Sequence, residues 1–228
     1  MNSNKNNLEV LFEDNHLIII NKKSGDIVQG DKTGDKPLSD IVKEYIKEKY
    51  NKPGKVFLGV VHRLDRPTSG VIIFARTSKA LERLNKMLRE RSISKIYWAV
   101  VKNNLKKEKD TLIHFLKKNP RNNKSTVFIR ETEGSKKAIL HYFVSKKLDN
   151  YSLLVINLET GRHHQIRAQL SYVGNPIKGD LKYGSSRSNK DGSIHLHARK
   201  ISFIHPVNKE NISIIASTPD EVIWNACM

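Results

Sequence analysis

The chain has 228 residues, 38% of them hydrophobic and 28% charged, a balance that builds a globular core and excludes a disordered polar chain. Its 41 Lys and Arg against 23 Asp and Glu leave a net charge of +18 and a pI near 9.9, which favours a polyanionic partner such as nucleic acid. The one cysteine, Cys227, excludes an internal disulfide framework and a thiolate zinc cluster, and no apolar run is long enough to span a bilayer as a helix.

The opening Met1–Asn7 has no apolar centre and reads as a flexible leader, not a signal peptide. The basic residues are spread along the chain instead of lining one amphipathic helix, so no membrane partner is expected and the expected location is the cytoplasm. From Leu8 to Ile20 the pattern is extended around a turn at Asp14-Asn15, with Leu17 to Ile20 as a buried strand. A turn at Ser24-Gly25 follows. Beyond Pro37, Ile41, Val42, Tyr45 and Ile46 recur at helical spacing, with Ser39 as the expected N-cap and Pro53-Gly54 as the stop. Val56 to Val61 and Val71 to Ala75 read as strands. Thr77 or Ser78 then opens a helix whose Ala80, Leu81, Leu84, Met87 and Leu88 share one face. Strands are expected at 95–101, 111–116, 126–131, 137–148 and 152–159, an apolar-faced segment at 165–173 with Gly174 as its stop, and strands again within 194–204 and 211–217. Thr218-Pro219-Asp220-Glu221 reads as a capping box before a short last helix. Strands in adjacent runs with helices between them predict an α+β chain with a mixed, mostly antiparallel sheet flanked by helices. With no Pro- or Gly-rich linker, 8–228 is expected to form one domain.

The run His62-Arg63-Leu64-Asp65-Arg66-Pro67-Thr68-Ser69-Gly70 falls between two apolar strands, which predicts a loop presented by a sheet, a kind of segment that often carries function. It sets one carboxylate, Asp65, among three potential cations, His62, Arg63 and Arg66. On residue types alone an Asp that staples the turn through an arginine is equally open, as is a core role for Tyr97 and a solvated role for Arg167.

That nine-residue run resembles the central motif of the RluA family of RNA pseudouridine synthases. Four further stretches resemble the family in the same order: Lys95-Ile96-Tyr97-Trp98-Ala99; Thr160-Gly161-Arg162-His163-His164-Gln165-Ile166-Arg167; Asn175-Pro176-Ile177-Lys178-Gly179-Asp180 with Tyr183-Gly184; and Leu196-His197-Ala198 with Phe203-Ile204-His205-Pro206. The resemblance implies a pseudouridine synthase fold with a central catalytic cleft, residues 8–228 as the catalytic domain, and a monomer that isomerises uridines in structured RNA, either large-subunit ribosomal RNA or transfer RNA or both. It implies Asp65, Tyr97 and Arg167 as catalytic residues: Asp65 as the essential carboxylate, Tyr97 stacked on the base, and Arg167 ion-paired with Asp65. Implied substrate contacts are His62, Arg63, Arg66, Thr68, Arg162, Gln165 and Ile166, with Ile166 packed under the base and Arg63 entering the space left by the flipped nucleotide. No cofactor or metal is implied. Asp65 as a nucleophile and Asp65 as a base at the ribose 2′ position both remain open.

The chain departs from the family at Lys22-Lys23-Ser24-Gly25, where relatives carry Lys-Pro before the small residue and Gly. The N-terminal RNA-binding module of many relatives is also expected to be missing, which leaves basic stretches such as Lys106, Lys107, Lys117, Lys118, Arg121 and Lys124 to meet RNA phosphates. Two other readings stand beside this one. A metal-dependent hydrolase would use His163, His164, His195, His197 and Asp180, though their spacing matches no zinc motif. A catalytically idle RNA-binding or ribosome-assembly protein would keep the charge and lack the chemistry.

Overall fold

Strands that read as unbroken apolar runs need cover on both faces, and two such runs form the centre of the first part of this molecule. The computed structural model describes residues 2–31 and 33–228. The chain is α+β, with eleven strands, largely antiparallel, and four α-helices among the described residues. It divides into two compact units, one made of residues up to Ile93 together with Ala198–Pro219, the other of Ser94–His197 with Asp220–Met228.

In the first unit, β1 (Val10–Glu13), β2 (Leu17–Lys22), β4 (Ser69–Ala75) and β10 (Leu196–Ile204, from Ala198 onward) neighbour one another in that order; β3 (Gly59–Val60) pairs with β4 and β11 (Asn211–Ile215) with β10. The β2–β4 register sets Ile18 opposite Phe74 and Ile20 opposite Ile72, on one face. There they pack with Leu38, Val42 and Ile46 of α1 (Leu38–Lys49). Leu17, Ile19, Val71 and Ile73 point the other way, onto Ala80 and Leu84 of α2 (Ser78–Arg89) and onto Ile201, Phe203 and Ile212. Thr77 caps α2 by accepting from Ala80 N at 3.2 Å. The α1 cap differs from expectation. Pro37 occupies the N-cap and Ser39 lies inside the helix, buried, so the fixed φ of Pro takes the place of a side-chain cap. The strand expected over Val56–Val61 shortens to Gly59–Val60, because only those residues reach a pairing edge of β4.

Within the segment read as a leader, Ser3 and Asn7 are hydrogen-bonded. Ser3 donates from its backbone N and its Oγ to the Asp26 carboxylate at 2.9 and 2.6 Å, and Asn7 N donates to Asn4 O at 3.2 Å.

In the second unit, β5 (Ser94–Lys102), β9 (Tyr151–Leu158), β8 (Lys136–Lys147), β6 (Lys109–Asn119) and β7 (Lys124–Phe128) follow that spatial order, every pair antiparallel. Ala168 of α3 (Gln165–Tyr172) packs with Leu116, Ala138 and Tyr183, and Trp224 of α4 (Val222–Cys227) packs on Val100 and Leu153. The cap of α4 is also displaced from the expected Thr218. Glu221 is the N-cap, accepting from Ile223 N and Trp224 N at 3.0 and 3.2 Å, and the same carboxylate meets the buried His195 Nε2 at 2.9 Å. That second anchor fixes where the helix starts. Among the described residues no helix is long and apolar enough to cross a membrane.

Candidate active site

The loop that carries Asp65 is fastened at both ends and through its middle. Val60 of β3 leads in and Ser69 of β4 leads out, while Val61 and Leu64 are buried beneath it. His62 Nε2 accepts from Ile73 N at 3.2 Å, which places the proton of a neutral ring on Nδ1. Thr68 N donates to Asp65 O at 3.0 Å, closing a tight turn over Arg66 and Pro67. Gly70 follows at φ +111°, where a Cβ would collide with the backbone of Ala198, so only glycine lets β4 leave the loop this way.

The segment in which the sequence departs from the family motif supplies the other fastening. Lys22 is fully buried, and its Nζ donates to Lys23 O and Asp26 O, both at 2.8 Å, and to Arg66 O at 3.2 Å. Gly25 N donates to the same Arg66 carbonyl at 2.9 Å, and Ser24 Oγ donates to Pro67 O at 3.2 Å. Arg66 returns the contact, donating from Nε to Gly25 O at 3.1 Å and pairing with Asp35. Burial pushes the Lys22 ammonium down to about 8; the nearby Asp26 and Asp65 charges oppose that shift, and Arg66 adds to it. Sequence reasoning gave Lys22 no role, although a lysine in the strand just past the apolar run Leu17–Ile20 was the available signal.

Asp65 is half-buried and Arg63 exposed, the latter without a hydrogen-bond or ion-pair partner among the described residues. The Oγ1 of Thr68 is buried, again with no hydrogen-bond partner among the described residues.

In the second unit, the Thr160–Arg167 segment turns sharply into α3. His164 at the helix N-cap takes a left-handed φ of 51°. Its ring stacks on His163 with centroids 3.8 Å apart, and its Nδ1 lies 2.9 Å from Tyr183 Oη. Tyr183 Oη also accepts from Ser125 N at 2.7 Å. Arg167 is buried in α3. Its Nε donates to Asp180 Oδ2 at 2.7 Å and its Nη2 to Asp180 Oδ1 at 2.9 Å, and the guanidinium sits 5.1 Å from the centre of the Tyr183 ring. Tyr97 is 8% exposed on β5 and Ile166 is 5% exposed on α3. Arg162 donates from Nε to Lys137 O at 2.9 Å.

Gln165 is bound within its own loop and to β8. Its Oε1 accepts from Thr160 Oγ1 and Arg162 N, its Nε2 donates to Ile139 O, and only 3% of it is exposed. An amide so engaged holds the loop in shape. The groups invoked for a metal hydrolase also have other occupations, His195 with Glu221 and Asp180 with Arg167; among the described residues no three His, Cys, Asp or Glu side chains form a group that could hold a metal.

The family described as RNA pseudouridylate synthase matches residues 16–172 of this chain. An uncharacterised RNA pseudouridine synthase of Synechocystis is 34% identical over 216 residues, covering 93% of this chain and 66% of that protein. The ribosomal large subunit pseudouridine synthase C of Buchnera aphidicola from Acyrthosiphon pisum is 36% identical over 218 residues, covering 91% of this chain and 66% of that one. The chain thus spans just under two thirds of the length of these curated relatives. Among solved structures, human RNA pseudouridylate synthase domain containing 4 superposes with a TM-score of 0.79 at 22% identity, over 96% of this chain and 92% of that one, a likeness of fold. The chain belongs to the RNA pseudouridylate synthase family.

Proposed function

We propose that this chain is an RNA pseudouridine synthase whose residues 8–228 act as the catalytic domain, with Asp65 as the essential carboxylate. The observation that carries the reading is the fastening of the Asp65 loop: its turn is closed by Thr68 N and its Arg66 carbonyl is gripped by Lys22 and Gly25, while Arg63 stands exposed ahead of the carboxylate. A loop so restrained holds a reacting group in one geometry, which catalysis requires. In the reaction the bond from ribose C1′ to uracil N1 breaks, the base rotates, C1′ joins C5, the C5 proton leaves to water and N1 ends protonated. Asp65 starts this either by attacking as a nucleophile or by taking a proton at the ribose 2′ position. Tyr97 is the proposed stacking surface for the flipped uracil, worth about 1–3 kcal/mol. Arg167 is the proposed cation that favours the charged carboxylate, Arg63 the side chain that fills the vacated stack, and His62, Arg66, Thr68, Arg162 and Ile166 the remaining substrate shell, with Gln165 holding it.

The relative from Buchnera is named for the large ribosomal subunit, so large-subunit ribosomal RNA is the substrate class we propose first and transfer RNA the second. A monomer in the cytoplasm is the proposed setting. Release of tritium from transcripts carrying 5-tritiated uridine tests the reading on both RNAs. Wild type should release it and Asp65→Asn should not, while still binding the transcript. Equal release by the variant would remove Asp65 from the chemistry, and binding without any release by wild type would favour the catalytically idle RNA-binding protein.

A further inference from the structure

Lys95 stands two residues before Tyr97 on β5. The β5–β9 register runs from Ile96 to Lys102 without a bulge, so the alternation of a strand puts Lys95 and Tyr97 on one face and Trp98 and Val100 on the other. The Lys95 ammonium reaches the loop that follows β9: a Cβ built on Gly161 would lie 3.5 Å from Nζ, and Gly161, exposed and without a side chain, leaves that approach open. Burial lowers the pKa of Lys95 and is the sole cause of the shift; no carboxylate and no hydrogen-bond acceptor serves its Nζ among the described residues.

Lys22 makes the contrast. It is buried more deeply and has three carbonyl acceptors. An ammonium taken largely out of water without a partner is unfavourable for the folded chain, and an anion arriving from outside would reverse that. This chain is strongly positive, and the polyanion its family acts on is RNA, whose phosphates lie one per nucleotide beside the base that a stacking tyrosine would receive.

We propose that the Lys95 ammonium binds a backbone phosphate of the RNA substrate, next to the nucleotide received by Tyr97. The inference rests on the reading of the chain as an RNA-modifying enzyme and assigns the phosphate contact within that site to one residue.

The test uses the full chain, a transcript of large-subunit ribosomal RNA and binding measured between 50 and 200 mM salt. Lys95→Met should bind about tenfold more weakly or worse, as expected for loss of a charge-assisted contact. Its plot of log affinity against log salt should be shallower by about 0.7–0.9, the release of one phosphate contact. Lys95→Arg should recover most of the affinity. Thermal melting separates this from a structural role, because an ammonium without a protein partner is replaced by Met at no loss of Tm. Lys86→Met, on the exposed side of α2, should leave the slope unchanged. Wild-type affinity and slope in Lys95→Met, or a lowered Tm with binding intact, would overturn the proposal while leaving the RNA reading standing. A wild-type protein that does not bind the transcript would overturn both.

Discussion

Arg167 and Asp180 are joined twice, Nε to Oδ2 at 2.7 Å and Nη2 to Oδ1 at 2.9 Å, with side-chain exposures of only 5% and 1%. A forked pair fixes the plane of a guanidinium, which a single contact does not. The Tyr183 ring beneath the guanidinium, itself held by Ser125 N and near His164, completes the support. Arg167 is therefore set by its own unit before any substrate arrives. Asp180→Asn should destabilise the chain by up to about 3–5 kcal/mol in urea unfolding, since a buried cation loses the carboxylate that forks it. With substrate, kcat should fall by more than KM rises. A variant with wild-type stability and kcat would show that the fork does not orient Arg167.

Lys22 supplies a pH dependence whose sign can be worked out. Its pKa is about 8 in the fold and 10.5 in a free lysine. Below about 8 both folded and unfolded chains carry the proton, so the cost of burying it is present in full. Between about 8 and 10.5 the unfolded chain binds more protons than the folded one, so stability rises with pH. Across that window the gain is on the order of 3 kcal/mol, from about 1.36 kcal/mol per pKa unit. Lys22→Met lacks this group. The stability of wild type minus that of the variant, from urea unfolding at pH 7 and pH 10, should grow toward the higher pH. A constant difference would mean the ammonium is not buried in the fold.

Arg63 is exposed and without a described partner, so its loss should leave the fold alone and act on RNA. Arg63→Ala is expected to melt within about 0.5 kcal/mol of wild type and to lower both RNA affinity and turnover. A reduction no larger than that of Lys86→Ala would sink the idea that Arg63 fills the RNA stack.

Gly70 makes a backbone prediction. Its φ of +111° and the Ala198 backbone against its missing Cβ leave no room for alanine. Gly70→Ala should cost at least about 2 kcal/mol, combining a strained backbone with a collision. Proton exchange at the Ile73 amide, which donates to His62, should become faster as the loop end shifts. Unchanged melting would mean that β4 and β10 separate more easily than their packing implies.

Much of the architecture was legible because local patterns and global contacts agree. Leu17–Ile20 and Val71–Ala75 are apolar at every position, and both strands are covered by a helix on each side. Thr77 caps α2 because its side chain lies within reach of its own helix, at Ala80 N. At the last helix a distant residue has the deciding contact. Glu221 caps α4 in place of Thr218 because His195 holds its carboxylate, and Gln165 faces the loop backbone because Thr160, Arg162 and Ile139 offer it three partners.

By itself the sequence determined the family, the strand and helix order, and the single carboxylate in the His62–Gly70 run, because those depend on residue type and spacing along the chain. Tertiary structure alone decided that Lys22 grips the Arg66 carbonyl, that Asp180 forks Arg167 from thirteen positions away, and that the half-buried Lys95 has no carboxylate or acceptor at its Nζ among the described residues. The reason is physical. Partners of buried polar groups are set by where the chain returns in space, and no periodicity in the sequence records that return.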